Sequence, residues 1–219
     1  MPLLMLDLDG TLIDRDDAFR AAAVAFLTGH GLPESDLSWV LTTDAGGYAD
    51  REAMKRSLIE RYGDSVPEEG VRQFIDHGVV DRVTLSEPVR DVLAKAIAVG
   101  WTCVVVTNGR TSQQRKKLRN TGLDEIVHGW AISEEVGHAK PDRQIFEAAA
   151  AAAGSSLQDA WMIGDSAQND IGGAHGLQMQ SIWISAGRPW NEKSFRPTHI
   201  ADDVVGAINH VLGRPRRLA

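Results

Sequence analysis

Short apolar segments recur along the chain, and Gly, Asp, Asn or Ser bounds each of them. Such segments are typical of strands that are buried on both faces of a parallel sheet. The predicted strands cover residues 3–6, 103–106, 127–132, 161–163 and 181–184. Helical patterns separate or follow them at 89–99, 112–120, 142–153, 167–175 and 204–212. Strands that alternate with helices predict an α/β fold, a three-layer Rossmann-like parallel sheet with helices on both faces.

Residues 16–85 interrupt this alternation, because they show helical patterns at 17–29, 50–62 and 68–77 and no convincing strand. We therefore predict a core formed by residues 1–15 and 86–219, with a small α-helical cap inserted at 16–85. Ligands of open α/β sheets bind beyond the carboxyl ends of the strands. Since the insertion directly follows the first strand and its turn, we expect it to cover the ligand site.

Charge and cysteine content exclude several classes of protein. The formal net charge is -7, and the basic residues are dispersed apart from a short tail with Arg214, Arg216 and Arg217, so we expect no nucleic-acid partner. The single cysteine, Cys103, excludes an intrachain disulfide and fits a reducing cytoplasm. No apolar stretch reaches the roughly 18 residues of a membrane span, and no signal peptide is expected. The sequence therefore predicts a soluble cytoplasmic protein and leaves its oligomeric state open.

Two aspartates follow the first predicted strand. Asp7 and Asp9 are two residues apart, so the period of a strand points both carboxylates to one side. Alone, an Asp-x-Asp-Gly sequence is as typical of a turn as of a functional site. A second apolar segment also leads into an acid, Asp165, and Asn169 and Asp170 follow at the start of a helix. This second set of polar residues favours a functional site.

Two further polar clusters occupy comparable positions. Thr107, Asn108 and Gly109 end another predicted strand and precede a helix, and Lys140-Pro141 precedes the next helix. In a doubly wound sheet, such clusters meet at one edge. A cluster with oxygen ligands alone favours a hard cation that keeps its waters, which means Mg²⁺ rather than zinc.

With these four motifs in this order, the sequence resembles the haloacid dehalogenase superfamily, in its phosphatase branch with a helical cap after the first motif. The resemblance covers essentially the whole chain. It implies that Asp7 is the nucleophile and forms an aspartyl-phosphate. It also implies that Asp9 protonates the leaving alkoxide and then deprotonates the attacking water.

The resemblance assigns the other residues as well. Mg²⁺ is expected to be held by Asp7, Asp165 and the main-chain carbonyl of Asp9, with Asp170 and Asn169 around this metal site. Lys140 is expected to supply positive charge to the transferring phosphoryl group. The second motif and the arginine that follows it are expected to bind the substrate: Thr107, Asn108, Gly109 and Arg110.

Several alternatives follow from the same residues. Members of this family that cleave carbon-halogen bonds lack an acid at the position of Asp9, and those that cleave phosphonates usually carry a small residue there, so the resemblance implies neither reaction for this chain. Lys55, the only lysine of the insertion, could form a Schiff base, but a solvated helix face is the favoured interpretation. The expected substrate is a small phosphorylated metabolite, such as a nucleotide, phosphoglycolate or a sugar phosphate. A phosphomutase with the same motifs is the first alternative, and a catalytically silent binding protein is the second.

Overall fold

The computed structural model describes residues 2–214 and divides the chain into two compact units. One unit takes its described residues from Met1–Ile13 and Leu85–Ala219, and the other consists of Asp14–Thr84. The second unit overlaps the insertion expected at 16–85, and its role as a cap stays a prediction. Arg216 and Arg217 of the basic tail lie outside the described residues.

The described residues of the first unit include a sheet of six parallel strands. The strands are β1 (Leu3–Leu6), β2 (Thr102–Thr107), β3 (Gly129–Ile132), β4 (Trp161–Gly164), β5 (Gln180–Ile184) and β6 (His199–Ala201). Their order is β3-β2-β1-β4-β5-β6, so β1 is central, with Leu4 paired to Cys103 on one side and to Trp161 on the other. Every residue of β1, β2 and β4 is buried, as expected for strands covered on both faces. The predicted α/β fold is confirmed.

The strand β6 is absent from the sequence-based prediction. It is three residues long and lies at the edge of the sheet beside β5. Its central residue, Ile200, is 44% exposed. The other strands are predicted from continuous apolar runs. An edge strand this short and this exposed does not need such a run, so the sequence does not indicate it.

Helices alone form the second unit, Asp14–Thr84. They are α1 (Arg15–Gly29), α2 (Leu37–Asp44), α3 (Arg51–Tyr62) and α4 (Glu68–His77), and α2 is the one not predicted. Phe26 of α1 stacks on Phe74 of α4 with ring centroids 4.6 Å apart. A buried ion pair joins α1 to α2, because Arg15 donates two hydrogen bonds to the carboxylate of Asp44. Lys55 lies 2.8 Å from Glu68, which agrees with a surface position on α3.

The described residues of the first unit also form six α-helices: α5 (Glu87–Ala98), α6 (Thr111–Thr121), α7 (Ser133–Val136), α8 (Arg143–Ala152), α9 (Gly173–Gly176) and α10 (Val204–Leu212). The helix expected at 167–175 begins as a π-helical segment, Ala167–Gly172, and continues as α9. On one side of the sheet, Phe146 and Ala149 of α8 pack in a cluster with Leu3, Met5 and Val104. Burial of these apolar side chains anchors the strands whose carboxyl ends carry the polar motifs.

Cys103 lies in the middle of the sheet and is free and buried. Burial raises the pKa of its thiol to about 12, so this thiol is unreactive near neutral pH. The cytoplasmic location expected from the cysteine content stays a prediction. Within residues 2–214, no helix combines the length and the apolar character needed to cross a bilayer.

Candidate active site

The predicted site residues of the first unit lie beyond the carboxyl ends of neighbouring strands. Asp7 follows β1, Thr107 ends β2 and Asp165 follows β4. β1 pairs with both of the other strands, and the main-chain N–H of Asp7 continues the ladder by donating to the carbonyl of Ile163 over 2.9 Å. The strand order therefore brings together Asp7 and Asp165, which are 158 positions apart in the sequence.

Three acids form a cluster at this edge. Oxygens of Asp7, Asp165 and Asp170 all lie within 4.8 Å of one another. Burial raises the pKa of Asp7 to about 7 against the opposing effect of Lys140. Burial also raises the pKa of Asp165 to about 6, and the nearby Asp7 adds to this effect. Burial and the mutual repulsion of these acids therefore disfavour their charged forms, which a bound cation would favour.

Lys140 is a cation that contacts two acids of the cluster. Its Nζ lies 2.6 Å from Asp7 Oδ1 and 2.7 Å from Asp170 Oδ1, and it also donates to the carbonyl of Val106 over 2.7 Å. Burial alone would lower the pKa of this lysine, but Asp170 and Asp7 outweigh burial and raise it. Lys140 is therefore a fixed ammonium in contact with the predicted nucleophile.

The acidic cluster fits a divalent cation by the chemistry of its donors, since all of them are carboxylate oxygens. Asp170 Oδ1 is completely buried and lies 2.7 Å from Lys140 Nζ. A buried carboxylate oxygen in this state is suited to face a cation or a water bound to a cation.

A close approach explains the glycine of the first motif. Gly10 has a φ of 80°, and a Cβ atom at this position would lie 3.0 Å from the carboxylate of Asp165. The left-handed conformation disfavours other residues, and the lack of a side chain leaves room for the acid. Gly10 thus permits Asp165 to reach the cluster.

The carboxylate of Asp9 does not join the three acids and instead faces α6. Both of its oxygens accept hydrogen bonds from Lys117 Nζ, each over 2.7 Å, and Oδ2 also accepts from Gln114 Nε2 over 2.9 Å. Asp170, which was expected beside the metal site, is a full member of the cluster. The expected contact between the metal and the main-chain carbonyl of Asp9 stays a prediction.

The residues expected to bind substrate differ in the groups of the protein with which they form hydrogen bonds. Thr107 Oγ1 accepts a hydrogen bond from Gln114 Nε2 over 2.6 Å. The side chain of Asn108 is bound to the main chain of Lys140 in both directions, over 2.8 Å and 3.0 Å, so it holds the loop that carries this lysine. The N–H of Gly109 donates to Ser133 Oγ over 2.9 Å, and Arg110 is exposed just before α6. Their roles toward a substrate stay predictions.

Sequence reasoning missed three side chains of this site. Lys117 and Gln114 lie on α6, whose residues are mostly polar. On such a helix, a lysine three residues after a glutamine does not indicate a functional site. Arg188 lies in the loop after β5, and its Nη2 is 3.4 Å from Asp165 Oδ2 and 3.2 Å from the Asp165 carbonyl. The nearby Trp183 donates its indole N–H to the same carbonyl over 2.8 Å. Only the folded sheet brings these residues to the acids.

Comparison with known proteins supports this description. The phosphoserine phosphatase of Thermus thermophilus is 34% identical over 111 residues, which are 50% of this chain and 45% of that protein. The chain therefore spans less than half the length of this relative. The glyceraldehyde 3-phosphate phosphatase of Pyrococcus abyssi is 26% identical over 197 residues, covering 85% of this chain and 82% of that protein.

Solved structures agree on the fold. The HAD-hydrolase YfnB from Bacillus subtilis, whose structure was determined bound to magnesium, superimposes with a TM-score of 0.81 at 21% identity. The superposition covers 97% of this chain and 99% of that one. The family model for haloacid dehalogenase-like hydrolases matches residues 1–177. The prediction of this family is confirmed, and the chain belongs to the haloacid dehalogenase-like hydrolases.

Proposed function

We propose that this hydrolase is a phosphatase that cleaves phosphomonoesters of small metabolites and that Asp7 is its nucleophile. The environment of Asp7 carries the proposal: the carboxylate is buried, contacts the ammonium of Lys140 and lies within 4.8 Å of two further acids. A nucleophilic carboxylate next to a fixed cation suits the transfer of an anionic group. The two curated relatives are named as phosphatases, which supports the same type of reaction.

The reaction would run in two steps. First, an oxygen of Asp7 bonds to phosphorus while the bond from phosphorus to the leaving oxygen breaks, and Asp9 gives its proton to that oxygen. Then a water oxygen bonds to phosphorus, Asp9 accepts a proton from this water, and the bond between Asp7 and phosphorus breaks. Alcohol and inorganic phosphate leave, and both aspartates return to their starting states.

Asp9 is the suitable residue for both proton transfers. It lies two residues from Asp7, and its side chain is 25% exposed, so water can approach it, while Asp7 is nearly inaccessible. One carboxyl group that is an acid in the first step is a base in the second. Thr107 would donate its hydroxyl to a phosphoryl oxygen, and Lys140 would balance the charge of the transferring group.

Mg²⁺ is the cofactor that we propose. Asp7 and Asp165 would hold it together with the main-chain carbonyl of Asp9, and Asp170 would stand beside them. In this position a cation supplies neutralising charge, which allows an anionic nucleophile and an anionic substrate to approach each other. The three carboxylates of the cluster, which offer oxygen donors alone, support this assignment.

A panel assay tests the proposed function. Purified protein is incubated with Mg²⁺ and phosphoserine, glyceraldehyde 3-phosphate, phosphoglycolate, a pyrimidine nucleotide or a sugar phosphate. For at least one compound we expect free phosphate and alcohol in equal amounts, and we expect chelator to abolish the release. A phosphomutase would isomerise a substrate and release little phosphate. A silent binding protein would release none from any compound.

A further inference from the structure

The contacts between Asp9 and helix α6 are specific. Lys117 and Gln114 are three residues apart, so they lie on the same face of the helix. Both side chains are buried, although α6 is a polar helix. Lys117 Nζ reaches both oxygens of Asp9 at equal distances of 2.7 Å, and Gln114 Nε2 donates to Oδ2 over 2.9 Å, so two side chains of α6 hold this carboxylate.

Each cation of the site contacts different acids. Lys140 contacts Asp7 and Asp170, and Arg188 contacts Asp165. Lys117 contacts Asp9. The ammonium of Lys117 thus acts on the proposed acid and base.

Gln114 links Asp9 to the second motif. Its amide nitrogen carries two hydrogens, and the two shortest contacts of this nitrogen are 2.6 Å to Thr107 Oγ1 and 2.9 Å to Asp9 Oδ2. Since Thr107 Oγ1 accepts from Gln114, its own hydrogen is directed elsewhere. This hydroxyl faces the carbonyl of Asn108 at a long 3.5 Å. The hydroxyl is therefore available to donate to a phosphoryl oxygen.

The backbone is shaped around Gln114 as well. Gly109 has a φ of 146°, and a Cβ atom there would lie 3.1 Å from Gln114 Cγ and Cδ. That distance is tighter than an ordinary van der Waals contact, so a side chain at Gly109 would displace the glutamine. The lack of a side chain at Gly109 therefore leaves room for Gln114 in its observed position.

We propose that Lys117 and Gln114 are positioning residues of the phosphoryl-transfer site. They hold the carboxyl group of Asp9 in one orientation and couple it to the hydroxyl of Thr107. The inference rests on the proposed function, in which Asp9 transfers protons. Without Lys117, the Asp9 side chain would lose this fixed orientation, and a misplacement of about 1 Å costs roughly 10²-fold in rate.

The test compares the first release of leaving group from two substrates in Lys117→Met. An alkyl phosphate needs a proton on its leaving oxygen, whereas p-nitrophenyl phosphate does not. We expect alcohol release in the first turnover to fall by about 10²-fold while the first release of nitrophenolate stays nearly unchanged. Arg119→Met, which removes an exposed cation from the same helix, is the control and leaves both rates unchanged. Equal slowing of both substrates in Lys117→Met would overturn the inference.

A double-mutant cycle with Asp9→Asn makes the assignment sharper. If Lys117 acts through Asp9, adding Lys117→Met to Asp9→Asn slows alcohol release no further, whereas independent effects would multiply and contradict the inference. Lys117→Arg keeps the charge and should recover most of the lost rate. Lack of any phosphate release by the wild-type protein would instead refute the proposed function, so the two failures are distinguishable.

Discussion

Asp7 lies where β1 ends, and its chemistry depends on what the fold places around it. The aspartate follows the apolar strand β1, and burial raises its pKa to about 7. Lys140 opposes this effect from a distance of 2.6 Å. At the scale of the residue, the balance between burial and pairing keeps a reactive carboxylate close to ionisation at neutral pH.

Asp7→Asn tests the role of this carboxylate. Asparagine has nearly the same shape but lacks the nucleophilic charge, so turnover of every phosphatase substrate should fall to background while the protein remains folded. Phosphate release and circular dichroism of the same preparation measure both effects. Turnover close to that of the wild type would exclude Asp7 as the attacking group.

Gly10 and Gly137 offer a matched pair of variants. Their φ angles are 80° and 81°, so alanine is strained by a similar amount at both positions, on the order of 1–2 kcal/mol. Only at Gly10 would the new Cβ atom approach the Asp165 carboxylate, at 3.0 Å, because nothing lies within 4 Å at Gly137. We therefore expect Gly10→Ala to weaken Mg²⁺ binding severely and Gly137→Ala to leave it intact, as measured by calorimetric titration. Equal affinity in both variants would show that this close approach has no bearing on the metal.

At the scale of elements, the sequence predicts the helices and strands that have a recognisable pattern of apolar residues. The helix expected at 204–212 is observed as α10, Val204–Leu212, because its apolar residues recur with helical period. The polar motifs meet because each of them follows a strand, which makes their convergence a property of the topology. Lys117 and Arg188 escape prediction, since a helix face and a loop conformation bring them to acids that are 108 and 23 residues away in the sequence.

The ion pair between α1 and α2 makes a prediction for the helical unit. Arg15 and Asp44 are both buried, and removing one charge of such a pair costs about 3–5 kcal/mol. Asp44→Asn should therefore raise the hydrogen-exchange rates of the amides in α1 and α2 strongly. Glu68→Gln, which removes the partner of Lys55 at the surface, is the control and should change them little. Equal exchange in the two variants would contradict the importance of the buried pair.

At the scale of the whole molecule, binding of Mg²⁺ should stabilise the native state. A ligand that binds only the folded protein adds about 2.7 kcal/mol at 100 times its Kd, so Tm should rise with the concentration of Mg²⁺. Asp165→Asn removes one carboxylate of the cluster and should largely abolish this rise. Differential scanning calorimetry measures both proteins without reference to activity. A Tm of the wild type that is independent of Mg²⁺ would contradict the proposed cation site.

The covalent intermediate on Asp7 is the central claim, and the Asp9→Asn variant gives the most direct access to it. This variant should release nitrophenolate from p-nitrophenyl phosphate in a burst near one equivalent, because the first step then needs no acid, and hydrolysis of the intermediate should be slow for lack of a base. Mass spectrometry of the acid-quenched protein after the burst is the decisive measurement. We predict one phosphoryl group on the peptide that contains Asp7. An unmodified peptide, together with one equivalent of free phosphate for each nitrophenolate released, would contradict the aspartyl-phosphate mechanism.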